Sequence, residues 1–401
     1  MKYVMILPDG CADEKIPALG NKTIFEAAKI PNMTEIAKQG IVGWSNNTPM
    51  SLPAGSDPAT MSLLGYDPQI YYTGRAPLEA TAMNVELGPK DWAVRCNLVT
   101  IENGKMISFN AAQISSEEGA ALLATAQEKL GNDVISFFPG VSYRNVVRWK
   151  DLPGSPAPFS AGTRTYAPHD YIGKSIYGVH PAGAGSVELD ALMAEVHKIF
   201  ADHPVNKKRI ADGKLPATDA WLWGQGLKPA FPTFKERFGK TGAMITAVDL
   251  LRGLAILLGW DCIHVDGATG FYTTNFKGKG EAAVAALEKY DVVCVHVEAT
   301  DEAGHDGEPD TKIYSLEQID QHIVGPLFEA VKKYGEYRIL VTPDHPTPCR
   351  LKTHTHDNVP WIMAGTGLEP NGIGVYSEDA AARSEVFFPN GADMMPFFIG
   401  K

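Results

Sequence analysis

The chain has 401 residues, 44% hydrophobic and 21% charged, with 36 Lys and Arg against 47 Asp and Glu for a formal net charge of −11. That length exceeds one small core and suits a large α/β enzyme or two domains. The charge argues against a nucleic-acid partner, which needs a basic footprint to displace counterions, and no apolar run reaches the length of a membrane span, so no membrane partner is expected either.

The N-terminal MKYVMILPDG stops its apolar run at Pro8 and reads as a first β-strand, not a signal peptide. From about residue 81 to about 180 the pattern is that of a smaller α+β insert. VELGPKDWAVRCNLVTIENGKMISF predicts an antiparallel hairpin turning near Asn103-Gly104, followed by the helix SSEEGAALLATAQEKLG and two more strands. PGSPAPFSAGT (153–163) is a surface loop, and GVHPAGAG (178–185) is placed as the hinge back to the main domain. Beyond it, strand-like runs alternate with helix-period segments: GAMITAV, DLLRGLAILLG, DCIHV, KGEAAVAALEKY, DVVCVHVE. One long helix, DTKIYSLEQIDQHIVGPLFEAVKKYG, precedes the strand YRILVTP. Such alternation implies a mostly parallel sheet sandwiched by helices. The expected division is 1–80 with 181–401 for that domain and 81–180 for the insert. Five scattered cysteines without CxxC spacing are expected to be reduced thiols of a cytoplasmic protein.

Four segments put a carboxylate or imidazole beside the end of an apolar strand: Asp9 after YVMILP, Asp301 and His305 after DVVCVHVE, Asp344 and His345 after YRILVTP, and His354 with His356 before VPWIMAG. Asp301 and His305 are four apart and share a face if the segment is helical. In open α/β sheets such strand ends form the ligand crevice, so Asp9, Asp301, His305, Asp344, His345 and His354 suffice for two divalent ions in mixed N/O coordination. Each also has an ordinary role open to it, as a cap, a turn residue or a loop hydrogen bond. His296, inside its strand, reads as a buried structural histidine or a group behind the ligands. Ser56, in LPAGSDPATMSLLGYDP, is open to two readings. It is a helix cap, or an oxygen held at the positive end of a helix where a phosphorylated nucleophile would be stabilised. Two ions beside it would make it a nucleophile for phosphoryl displacement.

With these residues the chain resembles the alkaline-phosphatase superfamily, and within it the archaeal-type cofactor-independent phosphoglycerate mutases. The resemblance runs through LPDGCADEKIPALGNKTIFEAAKIPNMTEIAKQG, GSDPATMSLLGYDP, YYTGRAPLEA, VRCNL, PHDYIGK, WLWGQG, GATGFYTTN, VHVEATDEAGHDG and TPDHPTP. It implies one ion on Asp9, Ser56, Asp344 and His345 and another on Asp301, His305 and His354. It also implies a phosphoseryl intermediate on Ser56 and no 2,3-bisphosphoglycerate. Manganese comes first among the ions, with zinc, magnesium or cobalt as alternatives. His354 rather than His356 matches the family's histidine before D-P-V-P, although the sequence here has Asn358 for the proline, and Ala54 replaces the proline of the usual P-G-S-D.

The expected reaction interconverts 3-phosphoglycerate and 2-phosphoglycerate, with the insert as a cap that excludes water while the phosphoenzyme exists. Candidate cations for this small phosphorylated acid are Arg75, Arg95, Arg144, Arg148, Arg164 and Lys279, with His169. VSYRN (142–146) and DHPTP (344–348) resemble a bacterial branch proposed to act as homoserine kinase. A kinase-like phosphotransferase or a phosphatase with the same serine and ions is therefore the alternative, and a non-catalytic metal-binding paralogue the alternative of another class. Oligomeric state is left open.

Overall fold

Strand β1 (Lys2–Pro8) is apolar at every position after its first residue and is buried on both faces, as a strand at the centre of a helix-covered sheet must be. The computed structural model describes residues 1–400. In chain order the further strands are β2 (Ile41–Ser45), β3 (Trp92–Glu102), β4 (Lys105–Ser108), β5 (Ile135–Phe138), β6 (Arg144–Trp149), β7 (Asp219–Leu227), β8 (Gly242–Ile245), β9 (Asp261–Cys262), β10 (Val292–Val297), β11 (Tyr337–Val341), β12 (Val359–Gly365) and β13 (Phe387–Phe388). The chain divides into two compact units, Met1–Tyr72 with the chain from Phe231 onward, and Thr73–Ala230.

The larger unit is built on one sheet of order β13-β2-β12-β11-β1-β10-β8-β9. β11, β1, β10, β8 and β9 run parallel to one another, and β12 is antiparallel to both β11 and β2. Alternation along β1 feeds two cores: Val4 and Ile6 pack with Ile36, Leu316 and Leu327 on one face, Met5 and Leu7 with Leu251, Leu254 and Phe398 on the other. The sheet is therefore covered by helices on both faces, the mostly parallel helix sandwich that the sequence led us to expect. Parallel pairing brings the C-terminal ends of β1, β10 and β11 side by side, with Ile6 level with both Val295 and Val341.

The single helix expected after residue 309 is interrupted. It runs Pro309–Ile319, widens into a π-turn at Asp320–Val324, and resumes as Gly325–Lys332. Pro326 has no N–H for the carbonyl of His322, one turn back, so the ladder must shift there. Asp320, at that turn, accepts the Met33 and Asn32 amides at 2.8 and 3.1 Å. It thereby caps the helix Pro31–Gln39, which has no side-chain cap of its own.

The smaller unit is antiparallel: β3 pairs with β4, β6 and β7, and β6 with β5. The β3–β4 turn places Asn103 and Gly104 at φ 50° and 70°, the left-handed pair that a two-residue hairpin needs. This unit extends well past residue 180, and GVHPAGAG is not its exit. The helix Ser186–Ala201 directs Leu189, Leu192, Val196 and Phe200 into the same core as Leu98, Leu122 and Leu123, and β7 lies along β3. Its other boundary falls at Thr73, because the helix Arg75–Ala82 packs Ala76 and Ala80 against Ala93 and Val146 of this sheet. All five cysteines are free thiols. Among the described residues no helix is long and apolar enough to cross a membrane.

One buried carboxyl makes stability depend on pH. Glu378 accepts the Asp13 amide at 3.1 Å and the Thr23 hydroxyl at 2.6 Å, and burial raises its pKa from 4.5 to about 7. Between those values the folded protein holds a proton that the unfolded chain has released, so stability declines as pH rises through the window and levels off above it. Glu378→Gln is expected to flatten that decline in denaturant titrations at pH 4.5 to 7. A slope identical to the parent protein's would contradict it.

Candidate active site

Ser56 is the first residue of the helix Ser56–Leu63, with Gly55 as its cap residue. Its hydroxyl makes no capping bond, so the cap role left open by the sequence is not the one it has. Instead Ser56 Oγ lies 3.3 Å from both Asp9 carboxylate oxygens and 3.2 Å from His345 Nε2. Asp9 follows β1 directly. Asp344 and His345 stand in the loop after β11, and Asp301 and His305 on one face of the helix Ala299–Asp306 that follows β10.

Six side chains of this one unit thus meet at adjacent strand ends, and His354 joins them from the loop before β12. His305 Nε2 is 3.1 Å and His354 Nε2 3.5 Å from the carboxylate of Asp301, and the two ring nitrogens face each other at 2.9 Å. His345 Nε2 is 3.4 Å from Asp9 Oδ1 and 3.6 Å from Asp344 Oδ2. His356 lies elsewhere, with Nδ1 at 3.1 Å from the Thr48 carbonyl.

The electrostatics call for cations. Asp9, Asp301 and Asp344 expose 1%, 5% and 0% of their surface, so water screens none of them. Burial, reinforced by the charges of Asp344 and Asp301, pushes the Asp9 carboxyl well above the usual range. Burial also acts to raise Asp301, but His305 and His354 overcome it and hold that carboxyl well below the usual range. His305, which burial alone would lower, is raised by Asp301 to about 9. Asp344 Oδ1 accepts the Gly10 and His345 amides at 3.1 and 2.9 Å, whereas its buried Oδ2 has no hydrogen-bond partner.

Three of the rings are oriented alike. The Nδ1 of His305 faces the Lys352 carbonyl at 3.1 Å, that of His354 the Ala54 carbonyl at 3.2 Å, and that of His345 the Pro346 carbonyl at 3.3 Å. A carbonyl only accepts, so each Nδ1 carries a proton and each Nε2 is the nitrogen that faces the carboxylates, free to ligate an ion once any proton on it is displaced. Two ring nitrogens 2.9 Å apart, an orphaned carboxylate oxygen and three buried carboxylates are a donor set that fits divalent metal ions. The residues group as Asp301–His305–His354 and Asp9–Asp301–His345, each with donor atoms within 4.8 Å of one another; Asp9–His296–Asp344 meets the same limit.

Sequence reasoning missed several supporting residues. Thr347 donates its hydroxyl to Asp301 Oδ1, and Thr300 donates to the Asp9 carbonyl. Lys312, fully buried, joins Asp13 at 2.9 Å to the Thr347 carbonyl at 2.8 Å and so braces the loop carrying Asp344 and His345. Lys312 sits in an amphipathic helix and reads there as surface charge; only the fold shows otherwise. Lys279, a substrate candidate from sequence, is also fully buried. Its Nζ donates to the His296 carbonyl at 3.2 Å, and burial lowers its pKa to about 8.

The other candidates belong to the smaller unit, where four gather around aromatic rings. Arg75 and Arg95 stack on Trp223 at 5.8 and 5.0 Å, His169 meets the same indole edge-on at 5.5 Å, and Arg144 covers Tyr143 at 4.5 Å. Arg95 is buried and ion-paired to Glu79, which also holds Arg75 at 3.2 Å. Arg148 turns instead to the Glu86 carbonyl at 3.1 Å, and Arg164 lies on a backbone bridge to Ala182.

A helix-sandwiched sheet thus ends in a serine, three carboxylates and three imidazoles, a set suited to phosphoryl transfer. The family model described as 2,3-bisphosphoglycerate-independent phosphoglycerate mutase matches residues 37–206. A protein of that name from Methanosarcina barkeri is 44% identical over all of this chain and 99% of its own length. A probable one from Geobacter sulfurreducens is 42% identical over the whole of both chains. Among solved structures, a Pyrococcus horikoshii protein aligns with a TM-score of 0.81 at 28% identity, covering 100% of this chain and 97% of its own. The cofactor-independent phosphoglycerate mutase of Thermoplasma acidophilum aligns with a TM-score of 0.64 at 27% identity over the whole of both chains. The chain belongs to the 2,3-bisphosphoglycerate-independent phosphoglycerate mutase family.

Gly10 gives the site a sharp test. Its φ is +59°, and a Cβ there would lie 2.3 Å from Asp301 Oδ1 and 2.5 Å from Thr347 Oγ1. Gly20 has a similar φ of +71° with open space around it. Gly20→Ala is expected to cost about 1 kcal/mol of backbone strain, whereas Gly10→Ala costs clearly more and displaces Asp301. Equal losses in chemical denaturation would contradict this reading.

Proposed function

We propose that this chain interconverts 3-phosphoglycerate and 2-phosphoglycerate through a phosphoserine on Ser56, without 2,3-bisphosphoglycerate. The observation that carries the reading is the position of the Ser56 hydroxyl, at a helix start yet free of capping and directed at Asp9 and His345. Family membership supports the substrate. Asp9, Ser56, Asp344 and His345 would hold one divalent ion and Asp301, His305 and His354 the other, manganese in the first instance. When bound, such ions lower the proton affinity of a hydroxyl and neutralise phosphoryl oxygens.

The protein's own groups then have definite tasks. Ser56 gives up its hydroxyl proton as Oγ attacks phosphorus, and the bond from phosphorus to the 3-oxygen of glycerate breaks, that oxygen taking up a proton to leave as the 3-hydroxyl. Asp9, whose carboxylate Ser56 already faces, orients the hydroxyl for that attack. The first amides of the helix Ser56–Leu63 point toward the phosphoryl group and favour its negative charge. The 2-hydroxyl of glycerate next attacks the phosphoserine and regenerates Ser56. Arg75, Arg144 and His169 are the candidates for the carboxylate and phosphate of the substrate. Arg95 acts through Glu79 and Trp223, and Arg148, Arg164 and Lys279 complete the set of cations to be tested.

Ser56→Ala is expected to lower turnover by at least a thousandfold while the fold is retained, because the buried ligands stay in place. Phosphorus NMR of the protein with manganese and 3-phosphoglycerate should show 2-phosphoglycerate for the parent protein only. Turnover by the alanine variant within tenfold of the parent would make a bound water the nucleophile. Formation of phosphohomoserine from homoserine and ATP, in place of 2-phosphoglycerate, would replace the mutase reading by the kinase one.

A further inference from the structure

His296 stands apart from the other imidazoles of the site. It is fully buried on β10, between β8 and β1, and bonds to both neighbouring strand ends. Its Nε2 is 2.9 Å from Asp9 Oδ2, and its Nδ1 is 3.2 Å from Thr246 Oγ1, just past β8. Asp9, His296 and Asp344 lie close enough together to be read as a third set of metal donors. The hydrogen bonds decide against that.

The partner of Nδ1 is the difference. In His305 and His354 it is a carbonyl, and in His345 it is a carbonyl and the Thr347 hydroxyl, both at 3.3 Å; that hydroxyl gives its proton to Asp301 and so only accepts here, and all three rings carry a proton on Nδ1. In His296 it is a hydroxyl that already accepts the Val248 amide at 3.1 Å, leaving its own proton for the ring. Thr246 therefore donates to Nδ1, and the ring proton sits on Nε2, where it meets Asp9 Oδ2. The opposite tautomer would set a lone pair against a carboxylate at 2.9 Å and leave the Thr246 proton without an acceptor. A ring nitrogen that carries a proton cannot ligate a metal.

We propose that His296 is a positioning residue. Set in its Nε2–H form by Thr246, it engages Asp9 Oδ2 and reserves Oδ1, the oxygen 3.4 Å from His345 Nε2, for the ion. This rests on the two-ion reading above. Val248 N–H, Thr246 and His296 thus donate in sequence toward Asp9 across three neighbouring strands, and Asp9 accepts the Ser56 hydroxyl from the other side. Ligand carboxylates that lose such an outer partner typically bind metal 10–100-fold more weakly.

The test combines three measurements. Nitrogen-15 NMR of the zinc-loaded protein should show His296 Nε2 bearing hydrogen, and His305, His345 and His354 bearing it on Nδ1. In Thr246→Val, a change that preserves shape, manganese titration should give two ions per chain with one affinity weakened about tenfold. His296→Gln, whose amide can still donate, should recover most of the affinity that His296→Leu loses. An unprotonated or metal-bound Nε2 in the spectrum, or loss of one ion outright in both His296 variants, would overturn the positioning role. Unchanged affinity in Thr246→Val together with His296→Leu would do the same. A parent protein that takes up no second ion would instead overturn the two-ion reading, and this inference with it.

Discussion

Three carboxylates buried side by side are the constraint around which this molecule is organised. Asp9, Asp301 and Asp344 come from the ends of three adjacent parallel strands, where sheet register places them whether or not their charges agree. Each buried charge left unpaired costs several kcal/mol, so the arrangement persists only with cations or protons among the carboxylates. The surrounding structure serves that end. The Gly10 and His345 amides hold Asp344, Thr347 holds Asp301, and the buried Lys312–Asp13 pair fixes the loop between them.

The histidines divide the remaining work by tautomer. Acceptors behind three rings keep a proton on Nδ1 and leave Nε2 to face the ions, and the donating hydroxyl behind the fourth turns an N–H inward. Backbone carbonyls are fixed by the fold, so ligand orientation is settled before any ion arrives. One of them belongs to Ala54, two residues before the nucleophile, which ties the placement of His354 to the loop that presents Ser56. Ala54 stands where the family resemblance implies proline, and either residue offers that carbonyl.

Much of the site was legible in the sequence because strand ends in a parallel sheet have one destination. An acidic residue or histidine just past an apolar run must arrive at the crevice, and Asp9, Asp301, His305, Asp344 and His345 all do. His354 and His356, two apart in a loop, are not separable by that argument, and local patterning does not say which ring faces the cluster. Groups that act through backbone atoms, such as Gly10 and Lys312, leave no such mark. Neither do partners on a neighbouring strand, such as Thr246. The extent of the smaller unit was hidden for a related reason. The helix Ser186–Ala201 has an apolar face that any sheet could take, and periodicity does not tell a helix covering an antiparallel sheet from one covering a parallel sheet. Arg95, a substrate candidate from sequence, is buried because Glu79 and Trp223 come to it from segments 16 and 128 residues away.

Everything here follows from a cation demand at the strand ends, and the number of ions bound measures it directly. Protein freed of metal and dialysed against increasing manganese should take up two ions per chain, with the melting temperature rising as they bind, since the folded form gains ligands that the unfolded chain lacks. Saturation with no bound ion, and a melting temperature indifferent to manganese, would mean that protons alone reconcile the three carboxylates, and the account of the site would be wrong.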